Sequence, residues 1–294
     1  MFVCLEQGPE GNREDHIQLL GEVTSMKDFC SSALDVSSLD APERVVGHVV
    51  RHAVVVTAAG SSSRFNSGFM KGRLDSGSVK KEFLSFEGLP VLARAVKPFL
   101  EVPGLSVVVV TYKAGCLEET RGSLESLVPL LDGAGVPLHF VEGGDSRQSS
   151  VFNALSFLKR LWDDGAGFDL VSIHDGARPF VSKDIVLACL DAASVCGGAA
   201  PCVPVSDTLV KVSEGFFSER LDRAGVCGVQ TPQTFRFPDI YEAHVKARDL
   251  VDGVGSVFTD DTQIFMEFGG RVAAVTGSPK NTKITYRNDL EGGV

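Results

Sequence analysis

The sequence has no run of about 18 apolar residues, so no membrane-spanning helix is expected. It has no C-x-x-C pair. Its seven cysteines, at 4, 30, 116, 189, 196, 202 and 227, argue against a zinc site or a disulfide framework and read as reduced thiols serving as small core residues. The G-x-x-x-x-G-K-[ST] phosphate loop is missing, and so is the dinucleotide turn G-x-G-x-x-G. Base is scarce as well: 28 Lys and Arg face 38 Asp and Glu, a net charge of −10. Such a chain lacks the field that gathers polyanions, so nucleic acid is not an expected partner, although a few local bases can still hold a small anion. What is present is an ordinary globular composition, 44% apolar and 22% charged over 294 residues, long enough for one large domain or two small ones. No internal repeat or low-complexity tract interrupts it.

Residues 1–50 differ from the rest. Nine acids face three bases there, and periodicity is weak beyond a short helical pattern at His16–Leu20. The segment has neither the basic start and apolar stretch of a secretory signal nor the basic, acid-poor character of a transit peptide. It reads as a loosely ordered acidic extension, or as sequence upstream of the natural start, and the expected location is cytoplasmic.

From Arg51 onward, short apolar runs alternate with helical patterns. The runs Ala53–Thr57, Leu105–Thr111, Leu138–Val141, Leu170–His174, Ala199–Val205 and Val272–Thr276 read as strands. Val91–Phe99, Leu117–Leu131, Gln148–Trp162 and Lys183–Ala193 read as helices. This alternation predicts an α/β fold with a mostly parallel sheet flanked by helices over 51–294. Shorter strands around Leu209–Val212 and Val226–Gln230 predict an inserted β-arm at roughly 204–230. Ligands of such sheets bind beyond the carboxyl ends of the strands, so the residues there matter most.

Ala58-Ala59-Gly60-Ser61-Ser62-Ser63-Arg64 follows the first strand. It reads either as a backbone cradle for phosphate or as a plain Gly/Ser surface turn. The polar stretch Phe65–Val79, expected to be mobile, leads to Lys80-Lys81, a solvated pair or a phosphate clamp. Gly143-Gly144-Asp145-Ser146-Arg147 precedes a helix that Ser146 can cap. His174-Asp175-Gly176-Ala177-Arg178-Pro179 places an acid and a base after another strand. Asp175 suits ribose hydroxyls or a metal and Arg178 suits a phosphate dianion, or the two close the turn as a structural pair. His174 reads as a packed histidine. Thr259 before Asp260 and Asp261 reads as a helix cap.

Five ordered blocks, AAGSSSR, GGDSRQSSV, HDGARP, VQTPQTF, and TDD followed by NTKIT, resemble those of the 2-C-methyl-D-erythritol 4-phosphate cytidylyltransferases, from about Ala53 to Leu290. The resemblance implies a glycosyltransferase-A-like, Rossmann-related fold. It implies a homodimer whose arms complete each other's sites, and transfer of CMP from CTP to 2-C-methyl-D-erythritol 4-phosphate with release of pyrophosphate, Mg²⁺ being carried mainly on the CTP phosphates. Carried over, Ala58, Ala59, Gly143, Asp145 and Ser150 would recognise cytidine, and Gly60, Arg64, Lys81 and Lys283 would hold the triphosphate. Asp175, Arg178 and Thr259 would face the sugar phosphate, Asp175 also touching the nucleotide, while Thr208 and Arg223 would come from the partner subunit. Arg64, Lys81 and Lys283 are the implied catalytic cations. The chain departs from the family pattern at Ser62, where glycine is usual, at Lys80, where proline is usual, at Gly176, where alanine is usual, and in an insertion between Arg64 and Lys81 that leaves Lys80 as a second candidate. A ribitol 5-phosphate cytidylyltransferase and an inactive nucleotide-binding regulator stand as alternatives.

Overall fold

His52–Thr57 forms strand β1, whose apolar residues are buried on both faces. Val54 and Val56 enter one core and Ala53 and Val55 the other, which is why the run is continuous rather than alternating. The structure is a computed structural model that describes residues 49–67, 80–251 and 258–291. The acidic extension up to residue 48, with its expected helix at 16–20, and residues 68–79 of the inserted connection lie outside the described residues. The described residues form two compact units, an arm at 204–226 and a body made of the rest.

In the body, β1 is followed by α1 (Ser63–Ser67), a 3₁₀ turn at Lys81–Phe83, a small hairpin of β2 (Ser85–Phe86) and β3 (Leu89–Pro90), and α2 (Val91–Leu100). Then come β4 (Leu105–Tyr112), α3 (Leu117–Gly122), a 3₁₀ turn at Glu125–Leu127, α4 (Val128–Ala134), β5 (Leu138–Glu142), α5 (Arg147–Asp163), β6 (Leu170–Asp175), α6 (Lys183–Cys196) and β7 (Gly198–Pro204). The arm carries β8 (Leu209–Ser213) and β9 (Phe216–Leu221), paired antiparallel, with Phe216 and Phe217 exposed by the turn. The body resumes with β10 (Cys227–Val229), β11 (Gln233–Arg236), α7 (Asp239–Val251), α8 (Asp261–Glu267), β12 (Val272–Thr276) and α9 (Asn288–Glu291).

Strand order in the eight-stranded sheet is β10-β7-β11-β6-β1-β4-β5, with β12 also on β7. β1 runs parallel to β4 and β6, β4 to β5, and β12 to β7; β11 is antiparallel to both its neighbours. α2 and α6 cover one face through Leu92, Val96, Phe99, Val186 and Cys189. α5, α7 and α8 cover the other through Val151, Leu155, Leu158, Ile240, Ile264 and Phe265. Each fully buried large side chain contributes roughly 1.5–3 kcal/mol. The five described cysteines are free thiols, and no described helix is long and apolar enough to cross a membrane.

The structure departs from the sequence expectation in four places. The helix expected over Leu117–Leu131 is broken after Gly122 and restarts at Val128, because Pro129 fits only the first turn of a helix, where its missing N–H is not needed. β11 and α7 carry no clear signal, β11 because four residues after a proline are too few to show a period. Cys227–Val229, read as part of the arm region, belongs to the body sheet. The cap of α8 is Asp260, whose side chain accepts from the Gln263 N–H, rather than Thr259.

Gly176, directly after β6, has no room in this chain for the alanine usual at its position in the family. A Cβ there would lie 2.9 Å from the Thr57 carbonyl oxygen, to which the Gly176 N–H donates, and 2.9 Å from a Leu92 methyl. Gly176→Ala is therefore expected to cost about 1–3 kcal/mol, as overpacking does. Gly133→Ala, in helix α4 with nothing near its Cβ, is expected to add up to about 1 kcal/mol. Urea denaturation of both variants checks this pair of opposite signs.

Candidate active site

The parallel register brings four strand ends to one edge: Thr57 of β1 lies beside Thr111 of β4 and Asp175 of β6, and Tyr112 of β4 beside Glu142 of β5. The segments that leave these ends enclose a cavity of about 620 Å³. Ala59, Gly60, Arg64, Lys81, Gly143, Asp145, Ser150, Asp175 and Lys283 line it. Ala58 is buried directly behind, its N–H donating to the Thr111 carbonyl. Arg178 is outside the lining but contacts Asp175. Thr259 is not a lining residue; its N–H and hydroxyl both donate to the Gln263 side chain. Thr208 and Arg223 belong to the arm, where with Leu209, Arg220, Leu221 and Asp222 they line a separate cavity of about 380 Å³, and the Arg223 guanidinium donates to the Ser206 carbonyl.

Two loops meet at glycine. A Cβ on Gly143 would lie 2.3 Å from the Ala59 Cβ and 2.7 Å from Ser150 Oγ, so only glycine lets the loop after β5 pack on the loop after β1. Ser150 Oγ accepts from the Gly144 N–H at 3.1 Å and donates to the Ser146 carbonyl at 2.8 Å. Ser146 opens α5 with a capping box, exchanging hydrogen bonds with Ser149. The residue thus caps its helix while its neighbours shape the cavity wall.

Asp175 is the electrostatic centre. Lys283 Nζ lies 2.8 Å from its Oδ2 and Arg178 Nε 3.6 Å from the same oxygen, while Arg147 Nε lies 3.6 Å from Oδ1. Burial alone would raise this carboxyl; Lys283, then Arg147 and Arg178, hold it well below the usual carboxylate range. Arg147 continues the chain of alternating charge to Asp261 at 2.7 Å, and Asp261 meets His244 at 3.2 Å. Burial would raise Asp261 too, but Arg147 and His244 keep it low. Burial pushes the Lys81 ammonium down, with Glu82 opposing.

Lys283 owes its place to backbone ties on either side. The Arg178 guanidinium donates to the Asn281 carbonyl at 2.7 Å, and the Ile284 N–H donates to the Ala177 carbonyl at 2.8 Å. Asn281 donates in turn to the Thr231 carbonyl at 2.9 Å, and Gln230 donates to the Ser278 carbonyl at 2.8 Å. Gln233 secures the start of α8, donating to Asp260 and accepting from the Asp261 N–H. Arg147, Gln230, Thr231, Gln233 and Asn281 have no role legible from residue type alone, although each sits in one of the five blocks; only the fold reveals their partners.

His174 is a structural group, as read from the sequence. It is fully buried, and its Nε2–H donates to the Arg178 carbonyl at 3.1 Å. Thr231 Oγ1 accepts the Asp175 N–H and donates its own proton to His174 Nδ1 at 2.9 Å, which fixes the neutral tautomer. Burial lowers the ring to about 4 from 6.5. Between those values the unfolded chain binds a proton that the folded ring refuses. The stability of the neutral ring is complete above pH 6.5 and lost as pH falls towards 4, about 3 kcal/mol in all. Asp175 and Asp261, both depressed, add losses in the same direction at still lower pH. Urea stability is expected to fall between pH 7 and about 4.5 and to fall less in His174→Gln; equal slopes in the two proteins would refute the assignment.

A profile of the 2-C-methyl-D-erythritol 4-phosphate cytidylyltransferases matches residues 52–292. The enzyme of that name from Caldanaerobacter subterraneus subsp. tengcongensis is 34% identical over 239 residues, covering 81% of this chain and 95% of its own. The one from Cereibacter sphaeroides strain ATCC 17023 is 35% identical over 238 residues, covering 81% and 93%. The crystal structure of the 2-C-methyl-D-erythritol 4-phosphate cytidylyltransferase from Thermus thermophilus superposes with a TM-score of 0.59 at 29% identity, covering 81% of this chain and 94% of that one. That of the 4-diphosphocytidyl-2C-methyl-D-erythritol synthase from Anaerococcus prevotii, TM-score 0.64 at 23% identity with 83% and 96% covered, agrees in fold. With that match spanning nearly the whole body and its loops lining one cavity, the chain belongs to the 2-C-methyl-D-erythritol 4-phosphate cytidylyltransferase family.

Proposed function

We infer that this chain transfers the cytidylyl group of CTP to 2-C-methyl-D-erythritol 4-phosphate, releasing pyrophosphate and forming 4-diphosphocytidyl-2-C-methyl-D-erythritol in isoprenoid biosynthesis. The observation that carries the reading beyond family membership is a single cavity holding a backbone loop, a helix-capping loop and the cations Arg64, Lys81 and Lys283. In this reading Gly143, Asp145 and Ser150 face the cytosine, with Ala58 and Ala59 behind the nucleoside. Gly60, Arg64, Lys81 and Lys283 face the triphosphate. Asp175, Arg178 and Thr259 serve the acceptor. The Arg178 guanidinium supports that last role, being held beside Asp175 by its bond to the Asn281 carbonyl.

The chemistry needs charge neutralisation more than proton transfer. A phosphate dianion attacks an anionic α-phosphate, and two unit charges about 4 Å apart repel by roughly 4 kcal/mol at an effective dielectric near 20. The nucleophile is already ionised, so a buried neutral His174 is no deficit. Arg64, Lys81 and Lys283 offset the repulsion and hold charge that builds in the transition state. Lys283, paired with Asp175 in the resting site, turns its ammonium to the phosphates when they arrive. Among the described residues no group of three His, Cys, Asp or Glu is placed to hold a metal. The donor set fits Mg²⁺ entering on the CTP phosphates, with Asp175 the carboxylate available to it; when bound it neutralises phosphate charge. The arm is assigned to a homodimer in which Thr208 and Arg223 complete the partner's site, a role its exposed Phe216 and Phe217 support.

The deciding assay is pyrophosphate release from CTP and Mg²⁺ with methylerythritol 4-phosphate or with ribitol 5-phosphate. Release with the former alone is expected, and release with the latter alone would overturn the acceptor. Lys283→Ala is expected to lower kcat by roughly 10²–10³, as loss of one transition-state donor does. Arg223→Ala is expected to impair acceptor use while CTP still binds. Mixed dimers of Arg223→Ala and Arg178→Ala subunits are expected to recover activity at one site in each dimer, and no recovery would refute shared sites.

A further inference from the structure

Lys80 lies behind the loop that lines the cavity. Its ammonium donates to the Gly60 carbonyl and, at 3.3 Å, to the Ala58 carbonyl, yet Lys80 is not itself a lining residue. The peptides carrying those carbonyls are trans, so the N–H groups of Ala59 and Ser61 point away from Lys80. Ala59, Gly60 and Ser61 all line the cavity, and among the described residues neither of those N–H groups has a hydrogen-bond partner.

The same segment grips the loop again at Ser62. Ser62 has φ of 52°, in the left-handed region that a residue with a side chain enters only at a cost. Its hydroxyl donates to Glu82 Oε2 at 3.1 Å, with both residues buried. Lys81, between the two braces, points the other way: it lines the cavity and donates to the Ile284 carbonyl, next to Lys283. Two adjacent lysines therefore take opposite sides of one wall.

We propose that Lys80 is a positioning residue: by holding the carbonyls of Ala58 and Gly60 on the outer side, it presents the N–H groups of Ala59 and Ser61 to the triphosphate and does not touch the nucleotide. This rests on the reading that the cavity binds CTP, and it separates the work of the two lysines. Lys81 supplies charge to the ligand, whereas Lys80 supplies charge to the backbone, which in turn meets the ligand with preset dipoles.

Calorimetric CTP binding and steady-state kinetics test it together. Wild-type turnover with methylerythritol 4-phosphate checks the reading of function by itself, and CTP binding tests the brace whatever the acceptor proves to be. Lys80→Met is expected to weaken CTP binding and raise KM for CTP about tenfold, the effect of losing one charge-assisted hydrogen bond. kcat is expected to change by less than about threefold, because ground state and transition state lose the same loop contacts. Should Lys80→Met fail to fold, Lys80→Gln, which keeps a donor without the charge, is expected to raise KM for CTP by less than tenfold with kcat little changed. Unchanged CTP binding in Lys80→Met overturns the proposal. So does a fall in kcat at constant KM, because that would place the ammonium on the phosphates in the transition state.

Discussion

A carboxylate with its side chain 9% exposed, at the end of a buried parallel strand, is stable only if cations surround it, and Asp175 draws two from distant parts of the chain and one from its own turn. Arg147 comes from the first turn of α5, Arg178 from the turn after β6, and Lys283 from the segment before α9. Each is fixed by a second tie: Arg147 by Asp261, Arg178 by the Asn281 carbonyl, and Lys283 by the backbone bonds of its neighbours. The carboxylate needs the cations to remain ionised in the fold. The cations need the carboxylate to lie close to one another before any phosphate is present. Folding of the body and assembly of the site are thus one electrostatic problem.

Strand register makes that arrangement possible. β1, β4, β5 and β6 end at one level, so four connecting segments converge on one cavity, and the glycines at 143 and 176 mark where neighbouring segments approach too closely for a Cβ. Much of what looks catalytic in composition is scaffolding in place. His174, Gln230, Thr231, Gln233 and Asn281 satisfy buried backbone groups, and through those bonds they hold Asp175, Lys283 and the start of α8. A division of labour results, with side chains of the later blocks aligning the backbone and charged groups lining the cavity.

The α/β order, the parallel strands and the strand-end segments were legible in the residues, because a strand buried on both faces must be continuously apolar and a ligand-facing turn must be small or charged. Apolar runs of this kind need only local composition, as Ala53–Val56 shows. The chemistry was legible only in the ordered set of motifs, since a Gly/Ser turn or a Lys pair alone has ordinary surface readings. Elements that depend on distant partners were not visible: β11 exists because β6 and β7 leave a slot between them, and Asp260 rather than Thr259 caps α8 because its carboxylate reaches the Gln263 N–H.

Residue type and periodicity were enough to say which stretches are buried, where the turns fall and which charges stand near them, because that information is carried locally. Packing alone set which oxygen of Asp175 meets which cation, that Arg147 joins it to Asp261, and that Lys80 and Lys81 face opposite sides of one loop. Adjacent lysines are equivalent in a sequence. Direction separates them, and direction arises only when strands, loops and caps have packed against one another.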